Sequence, residues 1–119
     1  MSTLQRIGNA SNRHQGPFKR VLCVCQGGLL RSPTTAWVLS QDPYGYNTRS
    51  CGINPEYALI ILDTALLAWA QEIVTVENEI EKYLKTITEK PIINLDIPDN
   101  YAYRDPKLIE LIKNRYPIT

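Results

Sequence analysis

The chain is poor in the residues that metal centres and covalent frameworks need. It has one histidine and three cysteines, with no paired cysteine motif, which argues against a zinc site. An odd cysteine count is not a disulfide framework. It fits a reducing compartment, so a cytoplasmic protein is expected. Neither charge sign dominates: 13 Lys and Arg stand against 12 Asp and Glu, a formal net charge of +1. That balance gives no global attraction to nucleic acid or to a membrane surface. No apolar run is long enough to span a bilayer. Residues 1–20 lack the apolar core that a secretory leader requires. Internal repeats and low-complexity tracts are missing too. What remains is a chain of 119 residues with 44% apolar content, the size of one domain and enough to build a core.

Residues 1–17 are rich in Ser, Asn, Gln, Gly and Arg and read as a flexible, mildly basic tail. Residues 18–119 read as the folded domain. From Lys19 onward, strand and helix signals alternate. Residues 19–25 form a β-branched, apolar run expected as a buried strand. A helix is expected from Ser32 to about Ser40, with Ser-Pro suited to its cap and first turn and with Trp37 and Val38 toward the core. Residues 42–45 (Asp-Pro-Tyr-Gly) signal a turn. Residues 46–51 read as a second strand. A helix is expected over 55–70, apolar along Leu59, Leu62, Leu66 and Trp69. Residues 72–76 read as a third strand. An amphipathic helix follows over 77–88, with Ile80, Leu84 and Ile87 at helical spacing. Residues 91–96 read as a fourth strand, and a polar loop over 97–104 leads to a last helix over 105–115. There Asp105-Pro106 is a good start, and Leu108, Leu111 and Ile112 make the buried stripe.

This alternation predicts an α/β fold: a three-layer α/β/α arrangement with a four-stranded parallel sheet, covered on both faces and joined by right-handed crossovers. Ligands bind beyond the carboxyl ends of such strands. The rim then holds the loop after Cys25, Gly52, Glu77 and residues 96–103.

One segment carries the chemistry: Val21-Leu22-Cys23-Val24-Cys25-Gln26-Gly27-Gly28-Leu29-Leu30-Arg31-Ser32-Pro33. A strand that ends in a loop and enters a helix turns several backbone N–H groups inward, and the helix dipole adds positive potential. The backbone of Gln26, Gly27, Gly28, Leu29, Leu30 and Arg31 can therefore cradle a phosphate. Gly27 and Gly28 let the chain curl close to it. Arg31 can hold two phosphate oxygens as a planar fork, which Lys cannot match. The same field favours a thiolate at the cysteine, ready for attack on phosphorus. Ser32 can donate its hydroxyl to that sulfur. Cys23 is expected in core packing. Cys51, at the end of the second strand, is a candidate for a disulfide with Cys25.

These residues resemble the low-molecular-weight protein tyrosine phosphatases. Arg49-Ser50-Cys51-Gly52 looks like that family's Ser-Ala-Gly strand end, and residues 68–77 like its helix-to-third-strand segment. Leu95-Asp96-Ile97-Pro98-Asp99-Asn100-Tyr101 looks like its Asp-Pro-Tyr acid loop. The resemblance covers nearly everything from Lys19 onward, and is greatest to a short, bacterial-type branch of predicted tyrosine phosphatases. It implies two-step hydrolysis through a cysteinyl-phosphate, without metal or cofactor, of phosphotyrosine in a protein or peptide or of a small aryl phosphate. Phosphate, vanadate and sulfate would be site ligands. Cys25 becomes the nucleophile, Arg31 the phosphate clamp and Ser32 the thiolate's donor. The general acid should be an aspartate in the loop after the fourth strand. Asp99 keeps the family's spacing to Tyr101 and is preferred. Asp96, at the strand end, is the other candidate and could instead cap the turn. Tyr101 and Tyr103 are expected to line a slot for an aromatic ring, with packing against the last helix as the alternative. Gln26 stands at the rim. Leu29 at the loop's entrance leans toward phosphotyrosine, since phosphoarginine-directed members carry Thr there. The Asp-Pro-Tyr-Gly at 42–45 spells the acid motif better but falls at the opposite end of the sheet, where a surface turn is expected.

Three departures stand out. The family's Asn three after the nucleophile is Gly28, its second loop cysteine is Leu30, and the Pro after its acid is Asn100. Three other readings compete. An arsenate reductase needs further cysteines, and none follows Cys51. A phosphoryl-binding module with little turnover fits Gly28 but not the retention of Cys25, Arg31 and Ser32. A sugar-transport phosphocarrier lacks the arginine six positions on.

Overall fold

The computed structural model describes residues 9–10, 18–56 and 58–117. The stretch expected as a tail lies outside the described residues, apart from Asn9–Ala10. Those two form a short strand, β1, paired antiparallel with Thr48 and Arg49. The remaining elements are β2 (Arg20–Cys25), α1 (Arg31–Ser40), β3 (Asn47–Gly52), α2 (Thr64–Trp69), β4 (Glu72–Thr75), α3 (Asn78–Ile87), β5 (Ile92–Asn94) and α4 (Pro106–Arg115). The sheet order is β1-β3-β2-β4-β5, and β3, β2, β4 and β5 are parallel. The domain is thus α/β with a four-stranded parallel sheet and four described helices.

β2 is central because its sequence is apolar on both faces. Val21, Cys23 and Cys25 point to one side, against Ala36 and Leu39 of α1 and Leu108 and Ile112 of α4. Leu22 and Val24 point to the other, where Cys51, Ile73, Ile80 and Leu84 complete a second core. A strand buried on both faces needs this unbroken apolar run. The connection from β2 to β3 moves one way along the sheet, and those from β3 to β4 and β4 to β5 move the other way. Right-handed crossovers then place α1 on one face and α2 and α3 on the opposite one, which matches the two cores. The order reverses between β2 and β4. Their carboxyl ends therefore flank a crevice, where this class of sheet binds its ligands.

Two local expectations change. The helix expected over 55–70 covers only Thr64–Trp69. Asp63 starts it, accepting the Leu66 N–H at 2.8 Å. The preceding residues run beside the end of β3: Gly52 N–H donates to the Ile60 carbonyl and Leu62 N–H to the Gly52 carbonyl, both at 2.9 Å. The apolar run Ile60–Ile61–Leu62 thus serves as strand-like pairing, and Leu59, expected on the apolar face of a helix, is 64% exposed. α1 starts one residue early. Leu30 stands at its N-cap and Ser32 falls inside the first turn, so the serine hydroxyl does not cap the helix. Pro33 also lies in that turn, where its missing N–H costs nothing. Trp37 packs against the core as expected, half-buried, with the Arg104 guanidinium over its ring at 4.0 Å. The turn at residues 42–45 closes by Tyr44 and Gly45 N–H groups on the Gln41 carbonyl. No helix among the described residues is long and apolar enough to cross a membrane.

Candidate active site

The loop between β2 and α1 turns on Gly28, whose φ is +69°. A Cβ there would lie 2.7 Å from Gly52 N and 2.8 Å from Cys51 C. A Cβ on Gly52 would in turn lie 2.5 Å from Gly27 C. The two glycines therefore let the loop press directly onto the end of β3. Two further backbone bonds fix the same contact: Ile53 N–H to the Cys25 carbonyl at 3.1 Å and Asn54 N–H to the Gln26 carbonyl at 2.9 Å. The side chain of an Asn at position 28 has no room in this arrangement.

The turn brings Gly28 N–H to Cys25 Sγ at 3.1 Å. The Cys25 thiol donates to Ser32 Oγ, also at 3.1 Å, and the Ser32 hydroxyl donates to the Cys51 carbonyl at 3.2 Å. Loss of the thiol proton leaves the Ser32 hydroxyl able to turn from that carbonyl to the sulfur. Cys25 itself is 3% exposed.

Arg31 enters the crevice from the first turn of α1 and is 2% exposed. Its Nη1 donates to the Ile97 carbonyl at 2.9 Å. Its Nη2 donates to Glu77 Oε1 at 2.5 Å. Its Nε lies 3.4 Å from Asp99 Oδ1. The other oxygen of Glu77 accepts from Gln26 Nε2 at 3.1 Å. Burial alone pushes the Glu77 carboxyl up, but the bonds from Gln26 and Arg31 and the arginine's charge hold it below the ordinary glutamate range. A cavity of about 420 Å³ opens beside the guanidinium, lined by Arg31, Glu77, Asn78, Asp96, Asp99 and Arg115 among others. Cys25 is not part of its wall.

Asp99 is the aspartate brought to the arginine. Asp96 lies on the cavity wall and its backbone makes the turn. It has φ +51°, its N–H donates to Asn94 Oδ1 at 2.8 Å, and its carbonyl accepts from Arg115. Tyr101 packs against the core shared with α1 and α4. Tyr103 stacks with the Arg104 guanidinium at 5.3 Å. Leu29 is half-buried and Leu30 is 37% exposed at the start of α1. Cys51 faces the core opposite that of Cys25, because it pairs with Val24 in the parallel register while Cys25 pairs with Gly52. A Cys25–Cys51 disulfide would need the two side chains to meet through the sheet, so that pairing is not supported. Burial, with the nearby Cys25 and Asp63, pushes the Cys51 thiol well up, and burial does the same to Cys23. The raised values favour the protonated thiol at both positions. Among the described residues, no three His, Cys, Asp or Glu side chains converge as metal ligands.

The contact that sequence reading missed is Glu77 on Arg31, 46 residues away. Its signal was position alone: an acid just past the carboxyl end of a strand flanking the crevice. The chain matches no protein-family model, and no characterised protein or solved structure shows a significant match to it.

Proposed function

We propose that the chain is a metal-independent, cysteine-dependent phosphatase of the low-molecular-weight tyrosine phosphatase type, acting on phosphotyrosine in a protein or on a small aryl phosphate. One observation carries the reading. At the crevice end of the central strand, the Cys25 sulfur receives the Gly28 N–H and meets the Ser32 hydroxyl, both at 3.1 Å, and the buried Arg31 lies between those two partners in the chain. A nucleophile, the groups that bond its sulfur and a phosphate fork then fall within residues 25–32.

In the first step the Cys25 thiolate attacks phosphorus and the bond from phosphorus to the aryl oxygen breaks. Asp99, once it has moved off Arg31 and taken a proton from solvent, gives that proton to the oxygen. In the second step the Asp99 carboxylate takes a proton from water, and the water oxygen attacks phosphorus. The sulfur–phosphorus bond breaks, leaving inorganic phosphate and the thiolate. Arg31 and the loop N–H groups hold the equatorial oxygens throughout. Ser32 steadies the thiolate before attack and on departure. Tyr101 and Tyr103 form the wall for the aromatic ring, with Leu29 at the entrance. A reducing cytoplasm keeps Cys25 free for this work.

The test is p-nitrophenyl phosphate hydrolysis with EDTA present, from mildly acidic to neutral pH, wild type beside Cys25→Ser. Vanadate-sensitive turnover that vanishes in the variant supports the reading. Phosphate binding without turnover in the wild type would replace it with the phosphoryl-binding module.

A further inference from the structure

Glu77 stands at the N-cap of α3, with φ −138° and ψ 146°. This position favours Ser, Thr, Asp or Asn, whose side-chain oxygen satisfies a free N–H of the first turn. Glu77 makes no such bond. Its carboxylate turns away from the helix and spans two residues of the Cys25 loop, with Oε1 on Arg31 Nη2 at 2.5 Å and Oε2 on Gln26 Nε2 at 3.1 Å. A helix that forgoes its cap so that its first side chain can grip another element breaks a local rule, and such breaks gather at functional sites.

We propose that Glu77 is the positioning residue of this site, one carboxylate that fixes the Arg31 guanidinium and ties it to Gln26, the residue directly after the nucleophile. The inference rests on the phosphatase reading above and adds a part to it. Arg31 has three partners, and they are not equivalent. The Ile97 carbonyl is neutral. Asp99 is 61% exposed at 3.4 Å, and in the proposed reaction it must leave to protonate the aryl oxygen. Glu77 is the ionic partner that stays. It keeps the fork's orientation while Asp99 moves and while phosphate arrives. A guanidinium has five N–H groups, so the bonds to Ile97 and Glu77 still leave donors for phosphoryl oxygens. By holding Gln26 with its second oxygen, Glu77 also joins the two ends of the loop, so that clamp and nucleophile move as a unit.

The test compares Glu77→Ser, Glu77→Gln, Gln26→Ala and the double variant of E77S with Q26A. Serine is a good N-cap, so E77S keeps or improves the start of α3 while removing the grip on the loop. A role confined to starting the helix predicts an unchanged melting temperature and unchanged kinetics. The positioning role predicts a folded E77S in which the better cap offsets part of the lost ion pair, with kcat/KM for p-nitrophenyl phosphate about 10- to 100-fold lower, the size of one lost charged hydrogen bond. The vanadate inhibition constant rises in parallel. E77Q, which keeps the shape and an acceptor oxygen, recovers part of the loss. Q26A lowers kcat/KM in the wild-type background and adds little in E77S, because the shared carboxylate is already gone. E77S kinetics within twofold of wild type, tighter vanadate binding in E77S, or full additivity with Q26A would overturn the proposal. A wild-type protein that neither hydrolyses p-nitrophenyl phosphate nor binds vanadate would overturn the phosphatase reading itself, and this inference with it.

Discussion

At the residue scale, the close packing at Gly28 makes the sharpest claim. Its φ is positive, and a Cβ at this position would come within 2.7 Å of Gly52 N, which leaves no room for a side chain. Gly28→Ala is expected to lower stability by more than about 1 kcal/mol, read as a lower urea midpoint at constant slope. The general acid gives a second outcome. Asp99→Asn should cut kcat by about 10²–10⁴-fold on a poor leaving group, and least on activated aryl phosphates. If Asp96→Asn slows the reaction far more than Asp99→Asn, the acid is Asp96. Glu77 gives a third. Its proton is held less tightly in the folded chain than in the unfolded one. Its stabilisation is therefore complete above the unfolded glutamate value, about 4.3, and is lost as pH falls through the lower folded one. Acid titration of the unfolding midpoint should show a shallower decline for Glu77→Gln than for wild type. The cysteine, arginine and serine were legible in the sequence because they fall within one short segment. Glu77 was placed on the rim, but its contact with Arg31 was not legible, because it depends on which strand lies beside β2.

At the scale of elements, the pairing of a cap with a proline was read well at α4 but not at α1, where Ser32 falls inside the first turn. Asp105 accepts the Lys107 N–H at 2.9 Å and Pro106 opens α4. Asp105→Ala should cost about 1 kcal/mol, measured by denaturant unfolding. The same signals misled at α2. Pro55 suggested a helix start, and the apolar residues from Leu59 to Trp69 fit a helical stripe. The actual start is Asp63, because the backbone of residues 60–62 pairs with the end of β3 instead. Periodicity cannot separate those outcomes for a short apolar run beside a sheet. β1 gave no signal at all, being two residues in a polar stretch.

At the scale of the whole molecule, the parallel sheet with helices on both faces was legible from the strand–helix alternation, whereas the strand order was not, because alternation leaves open which strand lies beside which. A second feature that was not is the polar cluster at the opposite end of the sheet from Cys25. Buried Glu72 accepts from Tyr116 Oη at 2.6 Å and from Lys19 Nζ at 2.8 Å. These residues lie 44 and 53 positions from Glu72 in the chain. The rings of Tyr44 and Tyr46 pack on Tyr116, with centroids 5.7 and 6.2 Å away. Burial and the bond to Glu72 push the Tyr116 phenol well up, so it stays a neutral donor. Tyr116→Phe leaves a buried carboxylate short of one partner and should cost about 1–3 kcal/mol in unfolding. The kcat/KM of the folded protein should be unchanged, because the cluster lies at the amino ends of β2 and β4.

The measurement that tests the central claim most directly is an acid quench of the protein mixed with an aryl phosphate, followed by mass analysis of its peptides. The account predicts one phosphoryl group on the peptide holding Cys25, absent in Cys25→Ser and more abundant in Asp99→Asn if hydrolysis of the intermediate becomes the slow step. Turnover that continues in Cys25→Ser, or a phosphoryl group found on any other residue, would contradict it.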